Sequence, residues 1–310
     1  MPGVAEAVVS LVKKEFSGSQ VLAAYEAGYS GFWLHRKLEA AGIRCFVVHA
    51  ASIEVSSRDV VKTDKRDSLK IAQQLAAGRL KSVRVPTPEE ERRRLLTRTR
   101  EQLMNKKCRV MVQIRMRLHY FGLFPVSIKQ SITLNHVDEI LRVLDGELQQ
   151  TIGMMRDEWQ QISEHIKEIN YQLAQQAKED PLEAVYRSVP GVGRLISRIL
   201  SAELGDMSQF PNERALFSFT GLTPSEYSSG GHVRRGHISR QGNPRLRNML
   251  VEAAWKAVRK DPVIQEYYQK LSGRVGKHKA IVAVARKLIG RIRAAMRKHE
   301  QYKLNYKEAA

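Results

Sequence analysis

The sequence predicts an α/β domain followed by mainly α-helical regions. Residues 20–48 have the pattern of a strand, a helix and a second strand, which is typical of two parallel strands joined by a crossover helix. Beyond prolines at positions 86 and 88, charged segments with apolar residues three and four positions apart indicate long helices. The length of 310 residues fits more than one domain.

The elements of the first domain follow from local patterns. Gln20–Ala24 is a short apolar strand, and Ile43–Val48 has the composition of a buried strand. Thr63 is a suitable cap for a helix that extends through Ala77. Val83–Val85 is predicted to be one more short strand, and the two prolines that follow it end this first domain, residues 1–88.

A second region, residues 89–180, is predicted to be a helical coiled-coil segment. Glu89–Tyr120 is long, charged and helical, and apolar residues from Leu141 to Leu173 recur in steps of three and four. This apolar seam packs either on the Glu89–Tyr120 helix or on another protomer. The sequence leaves both arrangements open.

A third region, residues 181–310, contains a glycine-rich turn before the helix Arg194–Leu204. The turn, Val189–Gly193, is similar to the helix-hairpin-helix motif of DNA-binding proteins, in which backbone amides approach a phosphate. Gly191 and Gly193 are therefore candidate nucleic-acid contacts. A plain glycine-rich helix entry is the alternative.

The charge of the chain predicts a polyanionic partner. Lys and Arg number 52 against 32 Asp and Glu, which gives a net charge of +20. One basic zone spans residues 232–298 and another spans residues 92–117, so phosphate contacts along DNA or RNA are the expected use. A solvated surface that only aids solubility is the alternative. The candidate phosphate-binding residues are Arg234, Arg235, Arg240, Arg245 and Arg247.

Other classes of protein are excluded by composition. A hydrophobic content of 43% excludes wholesale disorder. No run approaches the roughly 20 apolar residues of a membrane span, and the first residues lack the pattern of a secretory signal. Cys45 and Cys108 are too few for a disulfide framework or a zinc site, which fits a reducing cytoplasm.

Three carboxylates are candidates for a metal site. Glu26 follows the first predicted strand at the edge where ligands bind in open α/β sheets. Asp64 and Asp67 are three residues apart and share a helix face. Converging carboxylates can bind Mg²⁺, which polarises a phosphodiester. Ion pairs with the basic neighbours at positions 62, 65 and 66 are the alternative.

Two serines are candidate nucleophiles. Ser228 and Ser229 lie in a polar loop between Tyr227 and two glycines. A loop serine can attack a substrate if a base or a metal activates it. The simpler interpretation is that both are turn residues.

Six short strings occur in an order that resembles one family. They are Tyr25-Glu26-Ala27-Gly28, Lys62-Thr63-Asp64-Lys65-Arg66-Asp67, Pro190-Gly191-Val192-Gly193, Gly221-Leu222-Thr223-Pro224, Ser228-Ser229-Gly230 and Gly242-Asn243-Pro244-Arg245-Leu246-Arg247. Together they resemble the DEDD-type transposases of the insertion-sequence one-ten class, some of which are guided by a bridge RNA. The resemblance implies an RNase H-like (RuvC-like) domain, a coiled coil and a C-terminal transposase domain.

The resemblance also implies residue roles. It places Glu26, Asp64 and Asp67 as the second, third and fourth acids of a Mg²⁺ site. It places Ser229 as the nucleophile, with Ser228 as the fallback. The family's first acid is an Asp on an earlier strand, but this sequence has no Asp before Asp59, so we expect that N-terminal strand to be missing.

The resulting hypothesis is a transposase or DNA recombinase of an insertion sequence. Its implied partners are donor and target DNA, a structured guide RNA and further copies of the chain in a dimer or tetramer, at the nucleoid of a prokaryotic cytoplasm. One alternative is a RuvC-like structure-selective nuclease in which water replaces the serine. The other is a catalytically degenerate protein that only binds nucleic acid.

Overall fold

The computed structural model describes residues 5–55, 61, 63–123, 131–232, 234–239 and 241–304, and for Arg235 it describes the backbone alone. The chain forms two compact units, residues 1–89 and 90–310. The second unit contains both of the later predicted regions, so the division at residue 180 stays a prediction. None of the helices in the described part of the chain combines the length and hydropathy that crossing a bilayer requires.

The first unit contains the predicted parallel β-α-β arrangement. Helix α1 (Ala5–Glu15) precedes strand β1 (Leu22–Glu26), helix α2 (Trp33–Ala40) and strand β2 (Arg44–Val48). The strands pair in parallel, with Glu26 opposite Val48 at their carboxyl ends. Strand β1 begins two residues later than the sequence indicates. The RNase H-like classification of this unit stays a prediction.

Helix α3 (Asp64–Ala76) begins as the sequence predicts. The Thr63 hydroxyl accepts a hydrogen bond from the Arg66 amide and caps the helix. The predicted strand at Val83–Val85 is wrong, because only Ser82 forms an isolated bridge, to Val48. The prolines that follow lack the amide donors that would continue this pairing.

The second unit contains helices and one hairpin. In chain order they are α4 (Pro88–Tyr120, which starts in the first unit), α5 (Leu134–Leu141), α6 (Gly146–Glu179), α7 (Glu183–Ser188), α8 (Arg194–Leu204), α9 (Glu213–Thr220), strands β3 (Pro224–Glu226) and β4 (Arg235–Ile238), α10 (Pro244–Lys260), α11 (Pro262–Val275) and α12 (Lys277–Arg297). The main core of this unit lies among α7 to α12.

The apolar seam of α6 packs within the chain. Its buried residues, such as Ile152 and Trp159, share a hydrophobic cluster with Ile114 and Leu118 of α4. Of the two predicted arrangements, the structure therefore shows packing on the Glu89–Tyr120 helix. The seam from Leu141 is divided between two helices, since Leu141 ends α5 and α6 begins at Gly146, and both parts pack on this cluster. The coiled-coil geometry stays a prediction.

A buried carboxylate connects three helices of the second unit. Glu203 of α8 has 1% of its surface exposed and accepts two hydrogen bonds from the Arg98 guanidinium of α4, at 2.8 and 2.9 Å. The Asn243 amide, at the start of α10, donates a third at 3.0 Å. The hydrogen bonds to Glu203 raise the pKa of Arg98 above its usual value. A buried charge is stable only when it is paired in this way.

The glycine-rich turn between α7 and α8 packs closely against α10. Gly191 has a φ of +87°, and a Cβ at this position would lie 2.4 Å from the Ala253 carbonyl oxygen and 2.8 Å from Lys256 Cβ. Gly193 has no heavy atom within 4 Å of such a Cβ. Gly191 therefore has a packing role, whereas Gly193 is exposed on an open side.

Removing the Glu203 carboxylate should destabilise the second unit. In Glu203→Ala the Arg98 charge and the Asn243 amide lose their partner, and we expect a loss of about 3 kcal/mol in the free energy of unfolding. Urea denaturation measures it. The matched control is Glu101→Ala, whose carboxylate pairs with Arg245 but is 42% exposed, and it should lose less than about 1 kcal/mol. Equal losses would contradict the anchoring role of Glu203.

Substitution of the two turn glycines should have unequal effects on stability. In Gly191→Ala the methyl group collides with the backbone of α10, and overpacking together with the left-handed conformation should destabilise the protein by about 2–4 kcal/mol. In Gly193→Ala only a weaker helix cap is expected, at about 1 kcal/mol or less. Thermal unfolding of both variants measures the difference. Similar melting temperatures would mean that the turn does not pack as the structure has it.

Candidate functional site

The three candidate carboxylates line one cavity in the first unit. Its volume is about 410 Å³, and it lies between strand β1 and helix α3. Glu26 is the last residue of β1, while Asp64 and Asp67 occupy the first turn of α3. Among the described residues that line this cavity none is basic. The positive end of the α3 dipole favours negative charge at this position.

The donor chemistry of this cavity fits a hard divalent cation, but the groups do not yet surround one point. Carboxylate oxygens are the ligands that Mg²⁺ prefers. In the described part of the chain, no three His, Cys, Asp or Glu side chains converge into a group that could hold a metal ion. The Asp67 carboxylate also lies 3.7 Å from Lys70 Nζ. Metal binding at this cavity therefore requires the three carboxyl groups to move closer together.

Among the described residues 5–21, the chain forms helix α1 and no strand for the acid that the family resemblance places first. Val8, Val9 and Val12 belong to α1 and pack on the small core of the first unit. Helix α1 contains two carboxylates, Glu6 and Glu15, and neither lines the cavity. The three acids named above are therefore the described carboxylates of this cavity.

The two candidate serines lie on a β-hairpin, where the sequence predicts a loop. Strands β3 and β4 are antiparallel, and Ser229 and His232 exchange backbone hydrogen bonds of 3.3 and 3.0 Å across the turn. The central residues Gly230 and Gly231 have φ values of +57° and +80°. Two positive φ values define a type I′ turn, which suits the twist of a hairpin. The adjacent glycine pair is the sequence signal that indicates it.

The two serine hydroxyls have different surroundings. Ser228 Oγ donates to the Glu226 carboxylate at 2.9 Å and accepts from the Arg234 amide at 3.2 Å. Ser229 is exposed, and no described residue forms a hydrogen bond with its hydroxyl. Ser228 thus connects the two arms of the hairpin, whereas the Ser229 hydroxyl is available to a substrate.

The candidate arginines of the hairpin are only partly described. Arg234 is exposed, and its backbone pairs with Tyr227 across the hairpin. Arg235 begins β4, on the strand opposite Glu226. Arg240 lies outside the described residues. Their role in binding nucleic acid stays a prediction.

The candidate arginines of α10 have structural contacts. Arg245 forms an ion pair with Glu101 of α4. Arg247 packs against Gly221, where a Cβ would lie 2.4 Å from the Arg247 Nη1 nitrogen. Asn243 caps the helix by accepting hydrogen bonds from the next amides, as its position before a proline predicts. The surface available to nucleic acid is therefore smaller than the arginine count suggests.

Comparison with known proteins gives two family matches. Residues 184–269 match the model described as the transposase IS116/IS110/IS902 family. Residues 2–122 match a DEDD transposase model associated with IS110, described as a transposase. The first match covers the serine hairpin, and the second covers the acidic cavity.

Several curated proteins are similar to this chain over most of its length. A putative transposase y4rJ of Sinorhizobium fredii is 31% identical in an alignment of length 294 that covers 85% of this chain and 74% of that protein. A second one from the same organism, y4qE, is 29% identical, and the match covers 74% of this chain and 57% of that protein. The transposase for insertion sequence element IS1111A of Coxiella burnetii is 27% identical, over 78% and 68% of the two chains.

Proposed function

Because this chain belongs to the IS116/IS110/IS902 family of transposases, we propose that it is the transposase of an insertion sequence and exchanges DNA strands through a covalent phosphoserine. The observation that carries this proposal is the common cavity of Glu26, Asp64 and Asp67. Three carboxylates without a basic neighbour in the cavity wall are typical of a site for a cation that assists phosphoryl transfer. The exposed hydroxyl of Ser229 supports the covalent step.

Ser229 is the proposed nucleophile. Its oxygen attacks the phosphorus of a DNA phosphodiester, a serine–phosphate bond forms, and the bond from phosphorus to the 3′ oxygen breaks. The serine proton is transferred, directly or through a base, to the released 3′ oxygen. The phosphoserine keeps the bond energy, so a 3′ hydroxyl of another strand can attack it and restore the serine. No ATP is needed for this exchange.

Glu26, Asp64 and Asp67 are the proposed ligands of Mg²⁺. When bound, the cation would draw negative charge from the non-bridging oxygens of the scissile phosphate. The acids lie at the end of β1 and in the first turn of α3, where the three side chains line one cavity. Glu26 is held in register by its pairing opposite Val48 on β2.

The hairpin gives the serine its position. The two glycines let the chain reverse its direction within a two-residue turn. Ser229 therefore lies at the tip of the hairpin and not in a long loop. The hydrogen bonds of Ser228 Oγ with the Glu226 carboxylate and the Arg234 amide stabilise the end of strand β3, which precedes the turn. This arrangement favours Ser229 over Ser228 as the attacking group.

The proposed partners follow from charge. A net charge of +20 supports binding to donor and target DNA and to a structured guide RNA, with Arg234, Arg235 and Arg240 as phosphate contacts. If an RNA guides the exchange, base pairing selects the target and the protein reads mainly the shape of the paired strands. A dimer or tetramer at the nucleoid is part of the same proposal.

A nucleic-acid-binding protein without catalysis is the second candidate. It is favoured by the fact that no three described carboxylates converge on a metal position. Such a protein would bind the same DNA but form no covalent adduct. Covalent adduct formation and metal binding distinguish the two candidates.

Ser229→Ala should abolish the covalent protein–DNA adduct. The adduct is measured as slowly migrating labelled DNA on a denaturing gel after incubation with Mg²⁺. Ser228→Ala is the matched control and should keep clearly more adduct than Ser229→Ala, since it removes hydrogen bonds that brace the hairpin but leaves the proposed nucleophile in place. Adduct that persists in Ser229→Ala but not in Ser228→Ala would transfer the role to Ser228. Absence of adduct from the unaltered protein would favour the binding protein.

Asp64→Asn should weaken the binding of Mg²⁺ and leave DNA binding unchanged. Loss of one carboxylate ligand should raise the Mg²⁺ concentration for half-maximal adduct formation at least about tenfold. Direct metal binding is measured with Mn²⁺ by calorimetry on the same protein. Glu54→Gln is the matched control, because Glu54 pairs with Arg79 outside the cavity. An unchanged Mn²⁺ affinity in Asp64→Asn would remove the metal site from the proposal.

A further inference from the structure

A long groove runs along helix α12 in the second unit. Its volume is about 1240 Å³. One wall is strand β4 of the serine hairpin, another is α11, and the segment 300–303 closes the far end. The lining residues of α12 recur about every four positions from Lys279 to Lys298, so the groove follows one face of the helix.

The floor of this groove is apolar. Val282 and Ala283 of α12, Leu271 of α11 and Leu222 line it. Gly290 and Ala294 also line the groove; Gly290 lies against Glu213 and Phe217, and Ala294 is exposed. A monomeric protein rarely leaves such a surface to water without a use for it.

The rim of the groove is basic. Arg274 and Lys279 are exposed on either side of the turn between α11 and α12, and Lys298 is exposed at the other end. The described acids of the lining are Glu213 and Glu300, and Glu300 pairs with Lys303 at 2.7 Å. Arg286 lies with its guanidinium 4.4 Å from the centre of the Phe217 ring. An anionic occupant is therefore complementary to the rim.

We infer that this groove binds an unpaired nucleic-acid strand. A duplex keeps its bases inside and presents phosphates and sugars, so it would leave the apolar floor uncovered. An unpaired strand has free bases that can bury apolar surface on the floor and phosphates for Arg274, Lys279 and Lys298, a combination of base and phosphate contacts that single-strand channels also use. The inference rests on the proposed action on DNA, and it places a separated strand beside the hairpin that carries Ser229.

The groove length agrees with a short single strand. Helix α12 has 21 residues, which at about 1.5 Å per residue corresponds to roughly 30 Å. Single-strand sites in other folds hold about 4–16 nucleotides. A strand of that size reaches from the rim residues of one end to those of the other.

Binding of labelled 12-nucleotide DNA and of a 12-base-pair duplex to the full chain tests the inference. The protein carries Ser229→Ala and no metal is added, so the result does not depend on the covalent step. Fluorescence anisotropy is measured over a range of salt concentrations. We expect Ala283→Phe, which fills the floor, to lower the single-strand affinity about tenfold with little change in its salt dependence and in duplex affinity. Ala184→Phe, at an exposed position of α7 outside the groove, is its control.

Lys279→Gln is a second variant that does not depend on tolerance of a larger side chain. It should reduce the slope of log affinity against log salt for the single strand by about 0.7. Arg297→Gln removes an exposed cation of the same helix outside the groove and should not affect the single strand more than the duplex. If both groove variants change duplex and single-strand binding equally, or neither changes the single strand, the inference is overturned. A change of sedimentation mass in Ala283→Phe with unaltered strand binding would also overturn it, because the groove would then be an interface between copies.

Discussion

The arrangement of the second unit depends on one buried carboxylate. Glu203 holds Arg98 of α4 and Asn243 at the start of α10, and Asn243 at the same time caps α10 through its own side-chain oxygen. The backbone N–H of Asn243 donates to the Phe219 carbonyl at the end of α9, at 2.8 Å. The serine hairpin is inserted between α9 and α10. The hydrogen bond between Glu203 and Asn243 therefore fixes the base of the hairpin, and the tip of the hairpin is exposed.

Other cations of this strongly basic chain are also buried in hydrogen bonds, and only the rest are on the surface. Arg291 is buried and donates to Asp261, and Arg293 is buried and donates to the Phe210 carbonyl. Both belong to the basic zone that predicts a polyanionic partner. Burial removes these cations from the surface, so the field that attracts a nucleic acid comes from the exposed remainder, such as Arg274 and Lys279.

The C-terminal end of the described chain returns to this core. The Tyr302 hydroxyl donates to the Asp261 carboxylate at 2.7 Å, and the Tyr302 amide donates to Ser188 Oγ at 2.9 Å. Burial and then the bond to Asp261 raise the pKa of Tyr302 to about 12. The phenol is therefore neutral up to high pH. The two hydrogen bonds of Tyr302 connect this wall of the α12 groove to the start of α11 and to α7.

The sequence by itself determined the local elements, the family resemblance and the types of functional group. Strand β2, the Thr63 cap and the Asn243-Pro244 helix start follow from short-range rules, because capping and buried-strand patterns act within a few residues. Tertiary structure alone decided that the three acids share a cavity, that Ser228 rather than Ser229 forms side-chain hydrogen bonds with described residues, that Arg245 pairs with Glu101, and that Gly191 packs on α10. These outcomes depend on contacts between residues far apart in the chain. Burial and pairing, which such contacts create, determine whether a charged or polar group is structural or available for binding.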